Sequence, residues 1–329
     1  MAQNDSLQAP PSQSPSGSAL LGVDLGSNQI RIGTVDQNGK VLAFRREPYT
    51  DQSREDARAL ADHLLSVTRQ MAEEHGAISA IGVSLPGMVN QTTSRIVGIS
   101  RLPNLAAIDL YREFAAEFRV PVHFDNNAYA AAFAEMKIGA ARGVRDWLYL
   151  HIGANVSAGL VMGGQLQHGT SGLAGALGQM RIYVEHLGES VPLENMASAE
   201  SVVRRTRDRL SKDNTSSLSR LGAMGGFSYD DIIAAAHTGD ELARIMLQRT
   251  GAFIATAIAD IMSLLDLSMV AVGGAPAGRS FLVPAIATEA RQRVSEIVYN
   301  DCRILAAEIG AEACVVGAAL LAGQKGESI

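Results

Sequence analysis

Three short apolar runs in this chain close on glycine-bearing turns. Residues 19–25 close on Asp24-Leu25-Gly26-Ser27-Asn28, residues 147–152 on Gly153-Ala154-Asn155, and residues 268–272 on Gly273-Gly274. Successive backbone N–H groups at such turns can point at one anion, and glycine lets the anion come close. Phosphate binding is the chemistry this pattern could do, although the same glycines would also serve simply to close hairpins. A further segment, residues 121–132, ends a strand on Asp125-Asn126-Asn127 and opens an alanine-rich helix. A carboxylate at such a junction can take a proton; a carboxamide has no useful basicity.

These turns need strands and helices to hold them. Residues 30–35 alternate and read as a returning strand, and Asn38-Gly39 turns it into a third strand near 41–45. Strands are expected again at 80–84 and 120–124, and a second hairpin, 159–162 with 165–167, surrounds Gly163-Gly164. Helical periodicity covers 56–74, 108–118, about 195–210, 229–236 and 241–265. The alternation gives an α/β class. Two sheets, each opening with a glycine-turned hairpin, suggest a duplicated fold with a cleft between two lobes. The expected division is a disordered tail at 1–18, one lobe at 19–122 and another at 123–312, with a last helix at 313–329 packing back on the first lobe.

Composition narrows the function classes. A length of 329 residues exceeds one usual domain, and a 47% hydrophobic content can fill two cores. A net charge of −6 argues against broad affinity for phosphate backbones. The run Arg204, Arg205, Arg207, Arg209 and Lys212 is therefore expected to be a solvated helix face rather than a nucleic-acid patch. Cys302 and Cys314 are the two cysteines; without a Cys-x-x-Cys pair they offer neither a disulfide framework nor a thiolate zinc site, and core packing is expected of both. The Gln/Ser/Pro-rich start lacks the basic and apolar stretches of a secretory signal. The most apolar later stretch, 251–272, is broken by Asp260 and Asp266 and fits a buried helix running into a strand, not a membrane span. A cytoplasmic location with no membrane partner is expected.

Several segments together resemble the ROK family of sugar kinases and repressors over residues 20–323. They are Ser84-Leu85-Pro86-Gly87, Pro103-Asn104-Leu105 with Asp109-Leu110, the 121–132 junction, His168-Gly169-Thr170-Ser171-Gly172-Leu173-Ala174-Gly175, Ala235-Ala236-His237-Thr238-Gly239-Asp240 and Gly317-Ala318-Ala319-Leu320. The resemblance implies a two-lobed actin-like ATPase (ribonuclease H-like) fold. In that fold the first two glycine turns hold nucleotide phosphates and the third lies near the adenosine. Asp24, Gly26, Asn28, Gly153, Ala154, Asn155, Gly273 and Gly274 would be the nucleotide positions. Ser84, Gly87, Asn104, Asn126, Asn127, Gln179 and Glu194 would be the ligand positions, with amide and carboxylate groups suited to polyol hydrogen bonding. Read without the family, these are ordinary polar loop residues.

The departures from the family pattern carry more information than the matches. Where family kinases place the catalytic Asp that takes a proton from the sugar hydroxyl, this chain has Asn127. It has Asn28 and Ala154 where they carry threonines in the phosphate turns. After the glycine-rich signature it reads Ala176-Leu177-Gly178-Gln179, without the family's sugar-binding Glu and its sugar- and zinc-binding His. Residues 185–196 lack the cysteine cluster that would complete a zinc site, and only Glu194 matches the cluster's trailing sugar-binding Glu. Zinc is therefore not expected, and ATP with Mg only if nucleotide binding is retained. Asp125, two residues from Asn127, is the alternative carboxylate, displaced by roughly 6–7 Å along an extended chain.

The expectation is a catalytically impaired sugar-kinase homologue that binds a carbohydrate-like ligand as a sensor or regulator. The alternatives are an ATP-dependent hexose or amino-sugar kinase with a divergent site, and a transcriptional regulator acting through a partner. Family repressors carry an N-terminal helix-turn-helix, and only the short polar tail precedes the first strand here, so direct nucleic-acid binding is not expected. The family also implies a homo-oligomer joined through the second lobe.

Overall fold

The computed structural model describes residues 18–26, 28–99, 102, 105–211, 215–274 and 279–326. The expected tail lies outside them but for Ser18, as do Asn104 and Lys212. The first half supplies seven strands: β1 (Ala19–Leu25), β2 (Gln29–Val35), β3 (Val41–Pro48), β4 (Ile78–Leu85), β5 (Gly87–Asn90), β6 (Arg95–Ile99) and β7 (Val122–Asn126). Five of them form a sheet in the order β3-β2-β1-β4-β7. The β1–β2 and β2–β3 pairs are antiparallel; β1–β4 and β4–β7 are parallel. The second half supplies β8 (Trp147–Ile152), β9 (Val156–Met162), β10 (Gln165–Leu166), β11 (Arg181–Val184), β12 (Glu189–Pro192), β13 (Met269–Gly274) and β14 (Arg303–Ala306). Its main sheet runs β10-β9-β8-β13-β14 with the same polarities, an antiparallel meander extended by two parallel strands. One connectivity has been used twice.

The strand β7 pairs with β4 in the first sheet. The lobe boundary expected after residue 122 thus falls inside a strand, and the first sheet reaches Asn126. Parallel strands buried on both faces read as continuous apolar runs, and β1 is buried at every residue. One face of this sheet is covered by the Ala57–His75 helix through Leu60, Leu64 and Met71. The Ala313–Gly326 helix covers the other, so closely that a Cβ at Gly22 or Gly82 would strike the carbonyl of Val315 or Ala318. Glycine is needed at both positions for that approach.

The Glu241–Leu265 helix is long and apolar enough to cross a membrane by length and composition. Here Ile254, Ile258 and Met262 pack against Leu148, Leu150, Val270 and Val272 of the second sheet, as a core helix does. The single helix expected at 195–210 is two, Glu194–Ala197 and Ala199–Leu210. Ser198 divides them because it takes an extended conformation and its hydroxyl caps the second helix, accepting from the Ser201 N–H at 3.3 Å. The arginines expected to form a solvated face are partly spent on packing. Arg204 donates to the Asn195 carbonyl at 2.7 Å and Arg205 to the Thr250 hydroxyl at 2.6 Å, while Arg207 lies over Phe227.

Candidate ligand cleft

A cavity of about 610 Å3 opens between the two sheets and draws its walls from both lobes. It has two chemically different halves. In the first, Gly26, Gly153, Ala154, Asn155 and Gly274 come together from the ends of β1, β8 and β13. Each hairpin turn is closed by a backbone hydrogen bond, Gly26 N–H to Gln29 at 2.9 Å and Gly153 N–H to Asn155 at 2.9 Å. Gly274 has φ 93°, in the left-handed region that favours glycine. Ala154, whose side chain has no hydrogen-bonding group, lines this half.

Three expected nucleotide positions do not line this half. Asn28 is exposed outside it, Gly273 is packed against Tyr149, and Asp24 is fully buried beneath it. The Asp24 carboxylate is occupied on both oxygens: Oδ1 accepts from the Ser84 hydroxyl at 2.7 Å, and Oδ2 pairs with Arg31 at 2.5 Å. Ser84, expected to touch ligand, is itself fully buried and serves Asp24 instead. Arg31, which sequence reasoning missed, does line the cavity. Its signal was available: the β1–β2 turn puts Arg31 directly opposite Asp24 across the hairpin. The nearby Asp24 carboxylate holds the Arg31 guanidinium above its ordinary pKa, against the effect of burial. His151, also missed, lines the cavity at the second turn, and burial lowers its pKa to about 4, so it is neutral near pH 7.

The second half holds Gly87, Asn126, Asn127, Gln179 and Glu194, five of the expected ligand positions; Asn104 lies outside the described residues. Asn126 caps the Asn127–Ile138 helix, accepting from the Ala128 N–H at 2.7 Å, and donates its amide to the Gly87 carbonyl at 2.7 Å. It therefore fixes the loop after β4 as well as the helix start. Asn127, the first residue of that helix, is buried and borders the cavity. Gln179 donates to Glu194 Oε1 at 2.8 Å. This pair gives the far wall one amide and one carboxylate.

Asp125 does not replace the missing carboxylate. It is buried and absent from the cavity wall. Its Oδ2 faces His168 Nε2 at 2.9 Å and His123 Nε2 at 3.4 Å, and its Oδ1 accepts from the Asn126 N–H at 2.7 Å and from Gln91 at 3.3 Å. Burial alone would raise its pKa, but the hydrogen bonds from His123 and His168 and the charge of both imidazoles pull it down to about 2. Tyr129 stacks on His168 with centroids 4.5 Å apart and donates to the Ala174 carbonyl. Asp125 is thus a tie between the end of β7 and the loop that carries His168.

The zinc site that the resemblance implies does not fit these residues. Zinc would need three or four Cys, His or carboxylate ligands. Among the described residues no group of three or more His, Cys, Asp or Glu could hold a metal ion, and 185–196 contain no cysteine. Magnesium takes carboxylate oxygens; Asp24, at the first turn, is fully buried beneath the cavity, with the Ser84 hydroxyl and the Arg31 guanidinium already against it.

Two lobes of this connectivity, with glycine turns on one side of the cleft and amide and carboxylate groups on the other, define a two-lobed actin-like ATPase fold of the sugar-kinase type. The chain belongs to the ROK family, whose model matches residues 20–325. It is 29% identical to a glucokinase of Streptomyces coelicolor over 314 residues, 92% of this chain and 96% of that one. Its fold is similar to that of a ROK family glucokinase from Streptomyces griseus in complex with glucose and AMPPNP, with TM-score 0.82, 25% identity, and 93% and 100% of the two chains covered. It is equally similar to a ROK family transcriptional regulator, a homolog of the E. coli MLC protein. There the TM-score is 0.81 with 25% identity, covering 95% of this chain and 79% of that one.

Proposed function

We propose that this ROK protein binds a carbohydrate-like ligand in the second half of the cleft, transfers phosphate poorly or not at all, and acts as a sensor or regulator. Asn127 carries this reading. It occupies the cavity-bordering position at the strand–helix junction where the resemblance requires a base, and the neighbouring Asp125 is committed to two histidines. Phosphoryl transfer depends on positioning, charge neutralisation and activation of the attacking hydroxyl. Loss of a positioned base costs about 10²–10⁴ in rate, and Ala154 weakens the phosphate turn as well. The ligand half keeps hydrogen-bonding groups from both lobes, so sugar affinity survives what catalysis does not. Calorimetric titration with hexoses and amino sugars, run beside a phosphotransfer assay, tests the reading. Binding without turnover supports it, and turnover at rates typical of a kinase defeats it.

The second reading, an active kinase with a divergent site, is favoured by the phosphate turns at Gly26 and Gly153, which converge on one cavity. The same assay decides between the two. We also propose self-association through the second lobe, where Met224, Leu264 and Ile297 are exposed. Light scattering at micromolar concentration is expected to return at least a dimer mass, and a monomer mass would refute this.

A further inference from the structure

We propose that Arg31 is a built-in cation that takes the place of a divalent metal, so that the first half of the cleft binds a single phosphate group without magnesium. The inference rests on reading the cleft as a binding site and not a kinase centre. Three observations carry it. First, Asp24, the carboxylate at the first phosphate turn, is closed to a metal: it is fully buried, with Ser84 on one oxygen and Arg31 on the other. Second, the guanidinium is placed to meet a ligand. It lines the cavity, and a Cβ at Gly26 would lie 3.3 Å from Nη2, which puts the charge against the first phosphate turn. The Arg31 side chain is 22% exposed, whereas that of Asp24 is 0% exposed. Third, no other fixed positive charge competes. Among the described lining residues Arg31 is the only guanidinium or ammonium group, and His151 is neutral at pH 7 because burial lowers its pKa to about 4.

Charge then limits the ligand. Asp24 already offsets part of the Arg31 charge from behind, and the remaining face of the guanidinium can match one phosphate group of roughly −1.5 to −2. A triphosphate arriving without its metal brings far more charge than this half can neutralise. A planar guanidinium suits direct phosphate binding through parallel N–H donors, and the turn N–H groups at Gly26 and Gly153 can add to it. The group to be bound is a phosphate monoester or free phosphate, held directly and not through a metal.

The test is calorimetry on the full chain with inorganic phosphate, a hexose monophosphate and ATP, each in magnesium and in EDTA. Phosphate or the hexose monophosphate, or both, is expected to bind with the same affinity in the two buffers, and ATP is expected to gain nothing from magnesium. Tighter binding of the monophosphate than of free phosphate would identify an ester as the ligand; the reverse order would identify the free ion. Arg31→Gln should weaken phosphate binding roughly ten- to hundredfold, as for a lost charge-assisted hydrogen bond. Arg31→Lys, which keeps the charge without the fork, should fall between the two and serves if Arg31→Gln does not fold. Binding that requires magnesium, binding unchanged in both variants, or no phosphate binding by the wild type would overturn the proposal. Free-sugar titration in the same buffers separates it from the proposed function. Sugar binding without phosphate binding sinks only the Arg31 inference, and phosphate binding without sugar binding sinks only the sugar reading.

Discussion

The two glycine-turned hairpins at the cleft have the same architecture and different electrostatics. In the first, the residue before the last of β1 is Asp24, and the residue across from it is Arg31. In the second, the corresponding pair on β8 and β9 is His151 and Ser157. One hairpin thus carries an ion pair at the edge of the cleft and the other carries a neutral imidazole opposite a hydroxyl. A duplicated framework fixes where the turns lie, but the charge at each turn depends on one cross-strand pair. Of these two cross-strand pairs, only the first carries fixed charge. A ligand bridging the turns would meet the Arg31 guanidinium at the first and the His151 imidazole and Ser157 hydroxyl at the second.

The largest way to break the contrast is to remove one member of the charged pair. Arg31→Gln leaves the Asp24 carboxylate buried and uncompensated, and should cost about 3–5 kcal/mol of stability, toward the low end because the Arg31 side chain is 22% exposed. The paired change Asp24→Asn with Arg31→Met should recover most of that loss, because neither charge is then stranded. Denaturant melts of the single and double variants give the comparison. Equal losses in both would show that packing, not the ion pair, matters at this hairpin.

The neutral hairpin should reveal itself through pH. The His151 pKa falls from 6.5 to about 4 on folding, because burial disfavours the imidazolium. Between those values the unfolded chain binds the proton and the folded chain does not. The contribution of His151 is therefore fully present above about pH 6.5 and is lost as the pH falls toward 4, by about 3 kcal/mol at most. His151→Gln cannot titrate and should flatten the melting temperature over that window. An unchanged acid slope in this variant would mean that His151 is hydrated in the folded protein. Asp125 acts lower on the scale: its carboxyl falls from 3.8 to about 2, so its contribution is lost only below about pH 4. The smallest effect is expected from Ser157→Ala, which touches no charge and should stay within about 0.5 kcal/mol. A loss comparable to that of Arg31→Gln would erase the distinction between the hairpins.

Much of this arrangement was legible in the sequence. Apolar runs ending in glycine turns located β1, β8 and β13, and the Asp56- and Asp240-capped helices follow their periodicity closely. Asn127 and the second turn's Gly153-Ala154-Asn155, departures from the pattern that the resemblance implies, were visible as residue types. Other features were not, for physical reasons. Asp125 and His168 are 43 positions apart, and only tertiary folding shows that one occupies the other. Ser84 reads as a loop-edge hydroxyl suited to a ligand, yet the β1–β4 register sets it beside Asp24, where it is consumed. Ser198 breaks a periodic helix because a serine cap competes with helix continuation, a choice that periodicity cannot register. Arg31 lay within reach of sequence reasoning, since a two-strand hairpin with a known turn fixes its cross-strand pairs.

The claim that phosphotransfer is impaired at Asn127 and in the cleft around it is tested most directly by sugar-dependent ADP release. The assay compares the wild-type protein with Asn127→Asp across hexoses and amino sugars, in the same preparations in which calorimetry shows sugar binding. The wild type should bind sugar and release no ADP above background. Asn127→Asp alone should stay close to it, because Ala154 and the Arg31-occupied Asp24 still leave the γ-phosphate unheld, and a base acts only on reactants already in place. Robust turnover by the wild type would contradict the account outright. Robust turnover by Asn127→Asp alone would show that the phosphate half of the cleft is intact and that one residue accounts for the whole loss.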